Sequence, residues 1–127
     1  MTTLDPQVAA LLKDPNALIP AIVQDSTSKE VLMLAYMNAQ SLELTLTTGK
    51  ATYWSRSRNQ LWRKGETSGH QQRLCTLRVD CDGDCLLCLV EQTGPACHTG
   101  RPNCFYWQLE GDEVVIISET RATRNTG

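Results

Sequence analysis

Short apolar runs, each closed off by turn residues, set the rhythm of this chain. Asp5-Pro6 has the form of a helix start, with Asp5 as N-cap and Pro6 at the first helical position. That helix is expected to place Leu11 and Leu12 inward and to end before Pro15. LIPAIVQD (18–25) and VLMLAYM (31–37) read as strands joined by the polar turn 26–29. Asn38 then caps a second helix to about Thr48, with Leu42 and Leu46 on one face and Gly49 just past its end. From there the texture becomes β-like. Segments 51–57, 61–64, 73–80, 85–92, 104–110 and 113–118 are rich in β-branched, aromatic or aliphatic residues, with Gly, Pro, Asn or Asp between them. The expected fold is α+β, mainly antiparallel β with two or three short helices, in a single domain. The closing stretch TRATRNTG (120–127) reads as a frayed tail.

Composition narrows the function classes. At 127 residues there is no room for a second independent core, and 41% apolar with 20% charged residues is ordinary for a globular domain. A formal charge of −2 argues against broad nucleic-acid binding. The longest apolar run has seven residues, too short for a membrane span, and the first residues lack the pattern of a secretory signal. A cytoplasmic location is therefore expected, with no membrane and no nucleic acid as partner. In that compartment six cysteines suggest metal chemistry more than disulfides.

The most unusual stretch is VDCDGDC, residues 79–85. Three carboxylates so close repel one another unless a cation lies between them. If 80–84 were extended, Asp80, Asp82 and Asp84 would share one side and Cys81 the other. Oxygen-only ligands suit Mg²⁺, whereas a solvated acidic turn around Gly83 is the plain structural alternative. Cys81, Cys97 and Cys104 all lie beside turn residues and polar partners. Three thiolates suit zinc and leave a fourth position for water, as in catalytic sites. Cys75, Cys85 and Cys88 sit in strand-like runs and read as buried core thiols.

The two histidines, His70 and His98, are candidate catalytic residues. His98 follows Cys97 directly and so must lie near any metal held there; a base of near-neutral pKa would help a water that three thiolates acidify only weakly. His70 closes the turn GETSGH, where a structural role competes with a catalytic one. Arg56, Arg58, Lys64, Thr67 and Ser68 form a basic segment with exposed amides and hydroxyls, a natural cradle for phosphate. The alternative for the arginines is a solvated strand edge. Trp54 and Trp62 can stack on a base, although core packing is the commoner fate of such residues.

These residues resemble a known family. VDCDGDCLLCLVEQTGPACHTGRPNCFY, WSRSRNQLWRKGETSG and VLMLAYMN are similar to the recurrent blocks of phosphoribosyl-AMP cyclohydrolases, over roughly residues 19 to 107. The resemblance implies hydrolytic opening of the N1–C6 bond of the adenine ring of N1-(5-phosphoribosyl)-AMP, the third step of histidine biosynthesis. Zinc-activated water would attack, with His98 as general acid/base. It also implies an intertwined homodimer whose zinc is shared across the interface by Cys81, Cys97 and Cys104, one from one copy and two from the other. Asp80, Asp82 and Asp84 match the family's magnesium carboxylates, and Arg56, Arg58, Lys64 and the following loop match its phosphate region. Residues 1–127 would form one such domain, with no C-terminal pyrophosphohydrolase domain. The sequence departs from the pattern at Cys85, Cys88 and Asn103.

Two rival readings differ in class. A non-enzymatic module could close zinc with Cys85, Cys88, Cys97 and Cys104, but the uneven spacing and the strand character of CLLC weigh against it. A zinc deaminase of free nucleosides would need a His-x-Glu motif, and neither His70 nor His98 has one.

Overall fold

The structure is a computed structural model that describes residues 4–118; the expected tail 120–127 lies outside the described residues. Its elements run α1 (Pro6–Leu11), β1 (Ile19–Asp25), β2 (Val31–Met37), α2 (Ala39–Thr48), β3 (Thr52–Ser55), β4 (Gln60–Arg63), β5 (Gln72–Val79), β6 (Leu86–Gln92), β7 (Trp107–Glu110) and β8 (Glu113–Ile116). The α+β expectation holds, with two helices among the described residues. Four strands form one sheet in the order β2-β1-β6-β5, and β3-β4 and β7-β8 are separate hairpins. The sheet is mixed, because β1 and β6 run parallel, with Ala21 opposite Leu86 and Val23 opposite Cys88. All other strand pairs are antiparallel.

Strand β1 alternates buried and half-buried residues as a one-sided strand should, with Ala21 and Val23 wholly enclosed. Its register with β2 slips between Val23 and Gln24, a bulge that shifts the phase of the burial along β2. Helix α2 starts on a capping box in which the Asn38 side chain accepts from Ser41 N–H and the Ser41 hydroxyl accepts from Asn38 N–H. It ends on Gly49 in the left-handed region (φ 74°). Ser41, Leu42 and Thr45 face the core. The Thr45 hydroxyl accepts the Thr52 N–H at 2.9 Å and donates to the Thr52 carbonyl at 3.0 Å, fastening α2 to the start of β3.

Behind β3 lies a buried polar chain. Tyr53 OH donates to Gln72 Oε1, Gln72 Nε2 donates to Gln92 Oε1 at 2.8 Å, and Gln92 Nε2 reaches the His70 and Thr93 carbonyls. Burial holds the Tyr53 phenol well above its ordinary pKa, with the nearby Cys88 adding to the shift. The chain therefore ties the β3-β4 hairpin to the edge of the sheet and to the loops on either side of it.

Several expectations need correction. Leu11 is exposed while Leu12 is buried, because α1 ends at Leu11 and the chain turns there. Leu46 is also exposed, since Leu42 and Thr45 occupy the inward face of α2. Cys75 is exposed on edge strand β5, and Cys85 is half-buried just before β6; only Cys88 is the core thiol expected of all three. Segment 104–110 is a strand only from Trp107. Among the described residues no helix is long and apolar enough to cross a membrane.

Candidate active site

The acidic run is a turn around Gly83, the plain alternative above, and not the extended stretch that would set all three carboxylates on one side. Asp80 Oδ1 accepts N–H groups from Asp84 (3.0 Å) and Cys85 (3.2 Å), and the Asp80 carbonyl accepts from Gly83 N–H at 3.1 Å. This self-capping curls 80–85 so that all three carboxylates come within 4.8 Å of one another, the one such group of three potential metal ligands among the described residues. The Asp84 N–H, first among several donors, holds the Asp80 carboxyl below its usual range. Asp84 is pushed the other way, by its hydrogen bond to Asp80 and then by that neighbour's charge. Gly83, at φ 72°, packs on the end of α1, where its carbonyl accepts Lys13 N–H at 2.8 Å.

The second cluster is the loop 94–104. Cys97 N–H donates to the Arg101 carbonyl and Gly100 N–H to the Cys97 carbonyl, forming a tight turn with Cys97 buried and His98 exposed beside it. Burial alone would raise the Cys97 thiol. The Thr99 hydroxyl and N–H, the Cys104 thiol and the Arg101 charge outweigh it and leave Cys97 below the ordinary thiol range. Cys104 is fixed by its N–H, which donates to the Leu32 carbonyl at 2.8 Å, and its thiol feels that of Cys97. Although the residue as a whole is exposed, desolvation of its sulfur, then the charge on Cys97, push this thiol up to about 11. Asn103, one of the departures from the family pattern, accepts Phe105 N–H at 2.8 Å and donates to Glu30. It thus braces the segment that carries Cys104.

Two of the three candidate zinc thiols are therefore together. Cys81 is not with them: it is exposed in the acidic turn and joins no three-ligand group among the described residues of one chain.

Arg58, Lys64, Thr67 and Ser68 all line one open groove of about 250 Å³ along the β4 end and the loop after it. Arg56 and Arg58 lie in the β3-β4 turn, not on a strand face, and Arg56 stacks on Tyr36 at 3.9 Å from the ring centre. Trp62 packs against Tyr53 with ring centres 5.0 Å apart, which is core duty. Lys64 turns inward: its Nζ donates to the Ala96 carbonyl at 2.5 Å, and desolvation lowers its pKa against the opposing pull of Cys104 and Cys97. His70 is half-buried, with its ring against Gly94, where an added Cβ would lie 2.8 Å from His70 Cδ2. Thr99, Glu30 and the Gln72–Gln92 pair escaped sequence reasoning. Only Thr99, two residues from a candidate ligand in CHTG, left a signal there.

Acidic turn, thiol pair and basic groove place the candidate site residues of this α+β fold on loops rather than on its strands. Residues 33–106 match the family model for phosphoribosyl-AMP cyclohydrolase. Similar curated proteins include a phosphoribosyl-AMP cyclohydrolase of Paracoccus denitrificans, 62% identical over 87% of this chain and 92% of its own. Others come from Cereibacter sphaeroides (60% identical, covering 86% and 92%) and a Jannaschia species (57%, covering 93% and 98%). The chain belongs to the phosphoribosyl-AMP cyclohydrolase family, hydrolases of histidine biosynthesis.

Proposed function

We propose that this chain hydrolyses the N1–C6 bond of N1-(5-phosphoribosyl)-AMP, working in the cytoplasm as a homodimer with a zinc site shared between copies. The observation that carries this reading is the sulfur geometry. The Cys97 and Cys104 thiols lie close enough to shift each other's acidity, and the third thiol of the set, Cys81, stands apart from them in the same chain. Soft, free thiols fit zinc, and a partner's Cys81 would complete three ligands with one position left over. Zinc held there supplies a water of lowered pKa at the position left open by protein ligands.

Exposed apolar surface supports the second copy. Trp107, Leu109, Val114 and Ile116 share one face of the β7-β8 hairpin, and all are at least half exposed. An isolated two-stranded hairpin is marginal in water and needs cover of this kind.

The residues then divide the work. His98, exposed beside Cys97, takes a proton from the attacking water and returns one to N1 as the N1–C6 bond breaks, leaving C6 as a carboxamide. Arg58, Thr67 and Ser68 in the groove hold phosphate oxygens, with Arg56 nearby. Asp80, Asp82 and Asp84 would hold Mg²⁺, which would supply charge to offset phosphate. The test is the absorbance change of ring opening, followed with and without a zinc chelator. Turnover that the chelator abolishes and added zinc restores is expected. Absence of turnover by zinc-loaded enzyme would overturn the reading.

A further inference from the structure

The segment Lys64–His70 touches the cysteine loop at both of its ends. At one end Lys64 Nζ donates to the carbonyl of Ala96, the residue before Cys97, while Lys64 N–H donates to Ala51 O at 3.0 Å and so anchors its own backbone. At the other end the His70 ring lies on Gly94 so closely that no side chain fits between them, and Thr93 N–H bonds the Gln71 carbonyl at 2.9 Å. Residues 93–97 are thus gripped by this segment through two side chains and one backbone bond. Lys64 is the only charged member of that grip, and it is half-buried.

We propose that Lys64 is a positioning residue for the cysteine loop, setting Cys97 and balancing thiolate charge, rather than a ligand of the substrate's phosphates. The proposal rests on the zinc reading above. An ammonium tethered by one of its three N–H groups to Ala96 O, on a half-buried stem, is poorly placed to follow a mobile phosphate. It is well placed to hold the carbonyl that fixes where Cys97 emerges. Three thiolates on a divalent ion leave a net negative charge, and a fixed cation next to two of them lowers the cost of gathering them.

The experiment compares Lys64→Met, Lys64→Gln and Lys64→Arg with wild type, each checked by circular dichroism. Zinc affinity is measured by competition with a chromogenic chelator, and kcat and KM are measured at saturating zinc. Outer contacts of this kind are worth about 10- to 100-fold in metal affinity. Lys64→Met should therefore lose zinc affinity in that range and lose kcat, with KM within about twofold of wild type. Lys64→Arg, which keeps the cation, should recover most of the zinc affinity. Lys64→Gln keeps a donor without charge, so it separates the two effects and stands in if Lys64→Met does not fold. Wild-type zinc affinity with KM raised tenfold or more would make Lys64 a phosphate ligand and overturn the proposal, as would no change in any constant. A wild-type protein that takes up no zinc in the same competition would instead bring down the zinc reading itself, before any variant is compared.

Discussion

Gly83 offers a test of how the acidic turn is built. It is buried at φ 72°, and a Cβ placed there would lie 2.1 Å from Leu11 O and 2.8 Å from Lys13 N. Both atoms are backbone, so no rotamer change can make room. Gly83→Ala thus incurs a left-handed backbone cost of about 1–2 kcal/mol plus an overpacking cost of about 1–3 kcal/mol. Gly49 is the matched control: its φ is 74°, and a Cβ there meets nothing within 4 Å. Gly49→Ala carries the conformational cost alone. The two variants should therefore differ by about 1–3 kcal/mol, the overpacking cost that only Gly83 incurs. With a urea m-value of about 2 kcal/mol/M, this separates their midpoints by roughly 0.5–1.5 M. The assay is urea unfolding followed by tryptophan fluorescence, at one fixed protein concentration so that association contributes equally. Coincident midpoints for the two variants would refute the close packing of the acidic turn on the end of α1, and with it the placement of Asp80, Asp82 and Asp84.

Three further outcomes are expected. His98→Ala should keep its zinc, measured by elemental analysis, while turnover falls about 10²- to 10⁴-fold, the usual span for a lost general acid–base group; wild-type turnover would remove His98 from the chemistry. Cys81→Ser and Cys97→Ser should each lose zinc and activity alone, yet regain part of both when the two proteins are mixed and allowed to exchange subunits. Failure to regain either, under conditions where exchange is demonstrated, would argue that the site lies within one copy. Leu109→Glu puts a charge at the most exposed point of the apolar hairpin, 78% accessible in the single chain, and should shift sedimentation from dimer toward monomer. A dimer undisturbed by that change would place the interface elsewhere.

Most strands were legible because their apolar runs are bounded by turn residues, and α2 because Asn38 and Gly49 mark both of its ends. Other features depend on partners distant in sequence. The parallel pairing of β1 with β6 joins segments about sixty residues apart, and no local pattern encodes it. Cys75 reads like Cys88 in its apolar surroundings, but it falls on edge strand β5, whereas Cys88 lies on central strand β6. The thiol pair is legible as residue types, whereas its support from Leu32 of β2 and from Glu30 just before that strand appears only in three dimensions.

The acidic run shows how three carboxylates can be brought together by a route other than a strand. Alternating carboxylates imitate the period of a strand, and on a strand all three would be equivalent, side by side on one face. In the turn they are not. Asp80 spends one oxygen on the N–H groups of Asp84 and Cys85, and those bonds curl the chain. Asp82 and Asp84 are brought round by that curl. Asp80 and Asp84 are displaced oppositely in acidity, Asp80 lowered by the N–H groups it accepts and Asp84 raised beside it. A divalent ion entering here would relieve the repulsion felt by Asp84 without having to displace the bonds made by Asp80. Asp80 thus organises the turn with one carboxylate oxygen and keeps the other, beside those of Asp82 and Asp84, for an ion.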